Sequence, residues 1–123
     1  MKVLIADDSK LVRQRVKKIL ASNDEIEKFI EASNVAEAVS CLSIGNPDVV
    51  ILDIEMPDGT GLDLLKEIKK MDYRPVVIIL TNHSYPGYRA QCLADGASFF
   101  LDKSIEFLRV RDVFEGLKYN FNQ

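Results

Sequence analysis

Five polar side chains stand at or just past the ends of short apolar runs and could together bind a metal ion and a phosphate. Asp7 and Asp8 follow one run, Asp53 follows another, Thr81 ends a third, and Lys103 lies just past the last. If the fold gathers the three carboxylates, their repulsion calls for a hard divalent cation, and Mg2+ suits few protein ligands, several waters and a phosphate oxygen. An ammonium and a hydroxyl are donors for phosphate oxygens. These residue types predict a site for metal and phosphate.

A simpler interpretation of the two consecutive aspartates stays open at this point. Asp7 and Asp8 could serve only as caps of a following helix, whose N-terminus favours negative charge. The chain's single histidine, His83, lies two residues beyond Thr81, and no His–Ser or His–Cys pair suggests acyl transfer. The residues therefore favour phosphate chemistry over acyl chemistry.

Short apolar runs alternate with segments of helical period, which indicates how these side chains would be positioned. Two of the runs are rich in Val and Ile without polar interruption, as is typical of strands in a parallel sheet that is covered on both faces. The runs are Val3–Ala6, Phe29–Ile30, Val49–Leu52, Val76–Leu80 and Phe99–Leu101.

Between and after the runs, apolar residues recur at the spacing of one helix face, and they predict five helices. Ser9 is placed to cap the first helix, and Asn34 with Glu37 resembles a capping box for the second. Gly45-Asn46-Pro47 is expected to end the second helix, and Gly96 to close the fourth. The apolar stripes are Val12, Val16, Ile19 and Leu20; Val35, Ala38, Val39 and Leu42; Leu64, Leu65 and Ile68; Tyr88, Cys92 and Leu93; and Phe107, Val110, Phe114 and Leu117.

Alternating strands and helices predict an α/β fold, a flavodoxin-like (βα)5 unit with helices on both faces of a five-stranded parallel sheet of order 2-1-3-4-5. The switch point of that order lies between the first and third strands, where ligands bind outside the carboxyl ends. The fold would therefore bring Asp7, Asp8 and Asp53 to one place. We expect residues 1–123 to form one domain.

Composition and charge narrow the class of protein. The chain has 123 residues and a net charge of −3, so no broad basic surface predicts nucleic-acid or anionic-lipid binding. No apolar run approaches the roughly 20 residues of a membrane span. Cys41 and Cys92 are expected to be buried and unpaired. A cytoplasmic protein is the simplest expectation.

The chain resembles the receiver domain of bacterial response regulators, the CheY-like proteins, along its whole length. Each segment that carries the resemblance is weak alone, but together they occur in the family's order at the expected strand ends. The segments are Asp7-Asp8, Asp53-Ile-Glu-Met-Pro57-Asp-Gly59-Thr-Gly61, Thr81, Ala94-Asp-Gly96-Ala97 and Phe100-Leu-Asp-Lys103.

The resemblance implies roles for the candidate residues. Asp53 would be the phosphoacceptor, and Asp8 and Asp53 would bind Mg2+ through their side chains. Asp7 would bind it directly or through water, and Glu55 through its backbone carbonyl. Lys103 would contact the phosphoryl group. The reaction would be covalent, with the aspartate carboxylate as nucleophile.

The resemblance also implies how a signal leaves the site. Thr81 and Phe100 would be a switch pair, and phosphorylation would change the face made by the fourth helix, fifth strand and fifth helix. A core role for Phe100 is the simpler alternative. We expect four surface residues on that face: Tyr85, Tyr88, Asp102 and Arg109.

Two residues depart from the family pattern. Ser104 replaces the proline that usually follows the lysine through a cis bond, and a cis bond to serine costs about 2.5–4 kcal/mol. The placement of Lys103 therefore depends on whether the site imposes that strain or the loop differs. Asn82 replaces a small residue and could narrow access to the phosphoryl position.

Three other functions compete with this interpretation. A haloacid-dehalogenase type phosphatase would use Asp53 with Glu55 as acid/base, but Met56-Pro57 does not fit and the chain lacks length for a cap. A pseudo-receiver would bind partners without phosphorylation. The receiver half of a DNA-binding regulator is the third. We expect a stand-alone receiver, not an enzyme on other substrates, that accepts phosphate from a histidine kinase or phosphotransfer protein and binds an unidentified output protein, with no direct nucleic-acid or membrane partner.

Overall fold

A computed structural model describes the backbone of residues 1–83 and 85–121, and side chains up to residue 117 within those ranges. Five strands and five helices alternate along the chain, with one short hairpin inserted after the third strand. The strands are β1 (Lys2–Ala6), β2 (Lys28–Ala32), β3 (Val49–Leu52), the hairpin strands β4 (Glu55–Met56) and β5 (Gly59–Thr60), then β6 (Val76–Thr81) and β7 (Phe99–Asp102). The helices are α1 (Lys10–Leu20), α2 (Val35–Gly45), α3 (Gly61–Lys69), α4 (Pro86–Ala94) and α5 (Arg109–Phe121).

The five long strands form one parallel sheet in the order β2-β1-β3-β6-β7. This confirms the predicted order 2-1-3-4-5, because β4 and β5 pair only with each other. β1 and β3 are neighbours, with Ala6 opposite Leu52, so the residues that follow them emerge side by side. β6 and β7 continue the same edge, with Thr81 opposite Asp102.

Helices cover both faces of the sheet, and the strand residues divide between them. Val3 and Ile5 join a core layer with α1 and α5, whereas Leu4 and Ala6 join the layer under α2, α3 and α4. Because successive side chains of a strand point to opposite faces, apolar residues at every position of β1 and β3 fill both layers. The continuous apolar runs of the sequence are thereby explained.

Helix ends follow the predicted capping residues with one exception. The Ser9 hydroxyl accepts the Val12 amide at 3.2 Å and begins α1. Asn34 accepts the Glu37 amide at 2.8 Å, but the Glu37 carboxylate accepts from the amide and hydroxyl of Ser33, so the reciprocal bond of a capping box is displaced by one residue. Left-handed Asn46 (φ 44°) and Gly96 (φ 108°) follow the ends of α2 and α4, as expected.

Other details of the sequence prediction were wrong. The hairpin β4–β5 was not predicted. Phe107 is buried, but it precedes α5 and fills the core from a turn, because only burial and not helical geometry follows from its apolar character. On α4 only Cys92 is buried, since that helix covers the sheet through one narrow strip, and Leu93 and Tyr88 are exposed. Cys41 is half-buried rather than fully buried.

None of the described helices is long and apolar enough to cross a membrane.

Candidate functional site

The carboxyl ends of the sheet strands bring Asp7, Asp53 and Lys103 into direct contact. The Lys103 ammonium lies 2.8 Å from Asp7 Oδ2 and 2.8 Å from Asp53 Oδ2. The side chain of Lys103 is only 12% exposed, that of Asp7 5% and that of Asp53 10%. A single cation therefore bridges two carboxylates that are separated from it by 96 and 50 residues in the chain.

The charges of this cluster depend on one another. Burial raises the pKa of Asp7, and the nearby Asp53 carboxylate raises it further, although hydrogen bonds from Lys103 and the Ser9 amide oppose the shift. Burial alone would lower the pKa of Lys103, but hydrogen bonds to Asp53 and Asp7 reverse this, and the net shift is upward. The ammonium is thus held in its charged form by the two carboxylates, as expected for a buried ion pair.

Local hydrogen bonds fix the turn that carries the first acidic pair. Asp7 Oδ1 accepts the Ser9 amide at 2.8 Å, and the Asp7 carbonyl accepts the Arg13 guanidinium at 2.6 Å. Because Ser9 provides the α1 cap, the alternative that Asp7 and Asp8 serve only as helix caps is wrong. Both oxygens of Asp7 are directed to the site or to the turn below it.

One carboxylate oxygen of Asp53 has no partner. Asp53 Oδ1 is buried and accepts no hydrogen bond from the described residues, while Oδ2 is held by Lys103. A buried acceptor without a partner is unfavourable, and a cation would satisfy it. The residues present therefore fit a metal ion that binds oxygen ligands.

Asp8 contributes less to this cluster than the sequence predicted. It is exposed, and the described residues contain no preassembled group of three acidic, His or Cys side chains that could hold a metal. Asp8 nevertheless lines the same pocket as Asp7 and Asp53, a cavity of about 500 Å³. Convergence of three carboxylates on one ion would require Asp8 to turn inward.

The rim of this pocket carries a contact that the sequence did not predict. His83 Nε2 pairs with a Glu55 carboxylate oxygen, which links the loop after β6 to the hairpin strand β4. The His83 amide donates to the Thr81 hydroxyl at 3.1 Å, and Asn82 is exposed on the rim. Periodicity could not identify this pair, because the two residues are 28 positions apart and both lie outside regular apolar patterns.

The serine in place of proline does not displace the lysine. The described residues contain no cis peptide bond, so the bond between Lys103 and Ser104 is trans. The Ser104 amide and hydroxyl both donate to Asp102 Oδ1, at 2.8 and 2.5 Å, and the Lys103 amide donates to the Thr81 carbonyl at 2.8 Å. The Lys103 ammonium is therefore positioned by a loop with a trans peptide bond and these hydrogen bonds, and not by a strained cis bond.

The segment after Asp53 is packed tightly against its own strand. A Cβ at Gly61 would lie 2.4 Å from Leu52 Cδ1 and 2.5 Å from the Asp53 carbonyl, so this position requires glycine. Thr60 and Asp63 form a capping box that begins α3. Gly59-Thr-Gly61 therefore leads from the hairpin directly into α3.

The expected switch residues lie on the two strands beside the site, Thr81 at the carboxyl end of β6 and Phe100 within β7. Thr81 is fully buried, and the Phe100 ring is buried in the core layer under α4. Arg89 of α4 lies over that ring and donates to the Phe100 carbonyl at 3.1 Å. Phe100 is therefore part of the core in this structure, as the simpler alternative expected, and its switch role stays a prediction.

The face expected to carry the output is a groove of about 620 Å³ between α4, β7 and α5. Arg109 lines it beside Phe99 and Phe100. Tyr85 and Tyr88, before and within α4, are exposed with their ring centroids 5.8 Å apart, and Asp102, the last residue of β7, is half-buried. The four residues expected on this surface are therefore at least partly accessible.

Comparison with known proteins agrees with this arrangement. The response regulator receiver domain family matches residues 3–115. A protein-glutamate methylesterase/protein-glutamine glutaminase of Clostridium acetobutylicum is 35% identical over 91% of the chain and 34% of its own length, and the DNA-binding transcriptional activator DevR/DosR of Mycobacterium tuberculosis is 31% identical over 94% and 55%. The chain thus spans about a third to a half of the curated relatives that it matches.

Solved structures show the same relationship. The response regulator domain of Thermotoga maritima CheB is 30% identical with a TM-score of 0.81, covering 100% of this chain and 97% of that one. A DNA-binding response regulator of the LuxR family from Staphylococcus aureus is 30% identical with a TM-score of 0.83, covering 94% and 96%. The chain belongs to the response regulator receiver family of two-component systems, whose general function is that of a phosphorylation-activated signalling switch.

Proposed function

We propose that Asp53 is the phosphoacceptor of this receiver and that a histidine kinase or a phosphotransfer protein is its donor. The observation that carries the proposal is the Lys103 ammonium, shared between Asp7 Oδ2 and Asp53 Oδ2 at 2.8 Å each in an open pocket. Ordinary packing gives no reason to bury two carboxylates around one lysine, whereas phosphoryl transfer needs a carboxylate beside a cation.

The reaction follows from the positions of the two Asp53 oxygens. The one beside Lys103, Oδ2, would attack the phosphorus atom of phosphohistidine. An oxygen–phosphorus bond forms while the phosphorus–nitrogen bond breaks, and the imidazole leaves with the electron pair. Lys103 keeps its charge and turns from the carboxylate to the new phosphoryl oxygens.

The partnerless Oδ1 of Asp53 would hold Mg2+, together with Asp8, the Glu55 carbonyl, and Asp7 directly or through water. The ion would offset negative charge on both reacting groups. Asp7, which already has two hydrogen-bond partners, would stay in place, while Asp8 would turn from solvent toward the pocket.

The output of the switch would be the face between α4, β7 and α5. Phosphorylation would draw the Thr81 hydroxyl from the His83 amide toward the phosphoryl group. Phe100 would then be held in its inward position behind Thr81, and a partner protein that prefers this state would bind. This is a population shift between two states of one fold.

We further infer that residues 1–123 act as one receiver unit, in the cytoplasm, by binding a protein rather than DNA or a membrane. The net charge of −3 supports a protein partner over nucleic acid. Some relatives are methylesterases or DNA-binding activators, but the chain matches only part of their length. We propose no enzymatic activity beyond phosphorylation and dephosphorylation of Asp53.

The test is phosphorylation by acetyl phosphate, followed as a gain of one phosphoryl group by intact-protein mass spectrometry. Wild-type protein should gain a hydroxylamine-labile phosphate only with Mg2+ or Mn2+, and Asp53→Asn should gain none. Asp72→Asn, which removes an exposed carboxylate away from the pocket, is the matched control and should behave as wild type. A labile phosphate on Asp53→Asn would contradict the assignment, and a wild type that gains none would favour the pseudo-receiver.

A further inference from the structure

The carboxylate of Asp58 connects the loop that follows Asp53 to the N-terminus of helix α2. The two oxygens of Asp58 accept the first two amides of α2, Val35 at 2.7 Å and Ala36 at 3.0 Å. These hydrogen bonds lower the pKa of Asp58, so its carboxylate stays charged and keeps both bonds. Asp58 thus caps α2 from 23 positions beyond Val35 and 22 beyond Ala36, and Asn34 caps the same helix end locally.

Asp58 lies at the tip of the hairpin, between β4 and β5. Each of these strands has only two residues, and an isolated hairpin of that size is not stable by itself. At its base the hairpin is held by the Gly61 amide, which donates to the Ile54 carbonyl at 2.5 Å, and by the capping box of α3. At its tip, within the described residues, the hairpin is held by the hydrogen bonds from the Val35 and Ala36 amides to Asp58. We call this pair of hydrogen bonds the clamp.

Glu55, whose backbone carbonyl is a metal ligand in the proposed function, stands between these two anchors in β4. The Glu55 side chain is exposed and pairs with His83 on the pocket rim, while the neighbouring Ile54 and Met56 side chains are buried in the core. The direction of the Glu55 carbonyl therefore depends on these core contacts and on how firmly the hairpin is held at its base and its tip.

We propose that Asp58 is a positioning residue, which uses the N-terminus of α2 to hold the hairpin so that the Glu55 carbonyl faces the metal pocket. The inference rests on the proposed function, since it assumes that Mg2+ binds beside Asp53. Residues that orient a metal ligand from behind commonly change metal affinity by about 10–100-fold when they are removed. Coupling of this kind is reciprocal, so metal binding should also tighten the clamp on Val35 and Ala36.

The experiment compares Mg2+ affinity by titration calorimetry in wild type, Asp58→Ala and Asn34→Ala, all in the full chain. Both variants remove a cap from the same helix end, but only Asp58→Ala frees the hairpin. We expect Asp58→Ala to weaken Mg2+ binding about tenfold and Asn34→Ala to change it by less than about twofold. The urea midpoints of the two variants should fall by similar amounts, because each loses one helix cap. Asp58→Asn keeps one carbonyl acceptor, so its Mg2+ affinity should lie between those of wild type and Asp58→Ala. It replaces Asp58→Ala in the comparison if the alanine variant does not fold.

Amide hydrogen exchange gives the second measurement. Mg2+ should slow exchange at Val35 and Ala36 in wild type and have no such effect in Asp58→Ala. Unchanged Mg2+ affinity in the Asp58 variants, or an equal fall in Asn34→Ala, would overturn the positioning role and leave the phosphoacceptor assignment intact. Wild-type protein that binds no Mg2+ would overturn the proposed function and this inference together.

Discussion

Replacement of Lys103 by methionine tests the charge arrangement at the centre of the site. The substitution keeps most of the side-chain volume and removes the ammonium that lies 2.8 Å from both Asp7 and Asp53. Two largely buried carboxylates would then face each other without a cation. We expect the metal-free protein to lose stability for this reason.

The size of the loss follows from burial and from the number of bonds. A hydrogen bond to a charged group contributes about 1.5–3 kcal/mol, and removing one partner of a buried ion pair costs about 3–5 kcal/mol. The open pocket lets water reach part of the cluster, and the variant no longer has to desolvate an ammonium, so we expect about 3 kcal/mol. With a urea m-value of about 2 kcal/mol/M, the midpoint would fall by about 1.5 M.

Urea unfolding followed by far-UV circular dichroism measures this loss, because the chain has no tryptophan to report it. Lys66→Met removes an exposed lysine from α3 and should change stability by less than about 0.5 kcal/mol. Mg2+ should restore more stability to Lys103→Met than it adds to wild type, because the ion replaces the missing charge.

The pH dependence gives an independent check of the same reasoning. The folded-state pKa of Lys103 is raised, so its contribution is fully present below the ordinary lysine pKa and is lost as the pH rises through the folded value. Removal of Lys103 takes away the hydrogen bond that opposes the raised pKa of Asp7, so that pKa should rise further. The stability deficit of Lys103→Met should therefore shrink as the pH falls and the Asp7 carboxylate becomes protonated.

A loss below about 1 kcal/mol at neutral pH would refute this account, because that value is typical of an exposed ion pair. A deficit that does not change between neutral and acidic pH would refute it as well. It would mean that the variant fails through packing and not through the two carboxylates.

Three further predictions concern access, output and packing. Asn82→Ala should speed both phosphorylation by acetyl phosphate and loss of the acyl phosphate, because an exposed side chain leaves the pocket rim; slowing of both in radiolabel assays would show that Asn82 assists the chemistry. Thr81→Ala should still be phosphorylated but bind its output partner poorly in pull-down with phosphorylated protein, and full affinity would mean that the signal takes another route. Gly61→Ala should cost about 1–3 kcal/mol in urea unfolding, because its Cβ would overlap the neighbouring strand, whereas Gly116→Ala has open space and should stabilise α5 by about 0.5–1 kcal/mol. Equal effects of the two glycine substitutions would contradict the packing argument.

The sequence by itself determined the order and type of the main elements. Uninterrupted apolar runs such as Val49–Leu52 are buried on both faces of the sheet in the structure, which is the environment that their pattern predicted. The positions of Asp7 and Asp53 followed, because parallel strands end at one edge and the strand order makes β1 and β3 neighbours. These are local patterns combined with general rules of topology.

Only the tertiary structure decided which side chains meet. Lys103 could be assigned to the crevice, but its equal distances to Asp7 and Asp53 depend on a trans turn at Ser104 that no periodicity encodes. Asp58 belongs to none of the predicted strands or helices, and only the fold places it against α2. Hydrogen bonds between distant loops depend on distances of a few tenths of an ångström, and these are set by the packing of the whole chain and not by the local sequence.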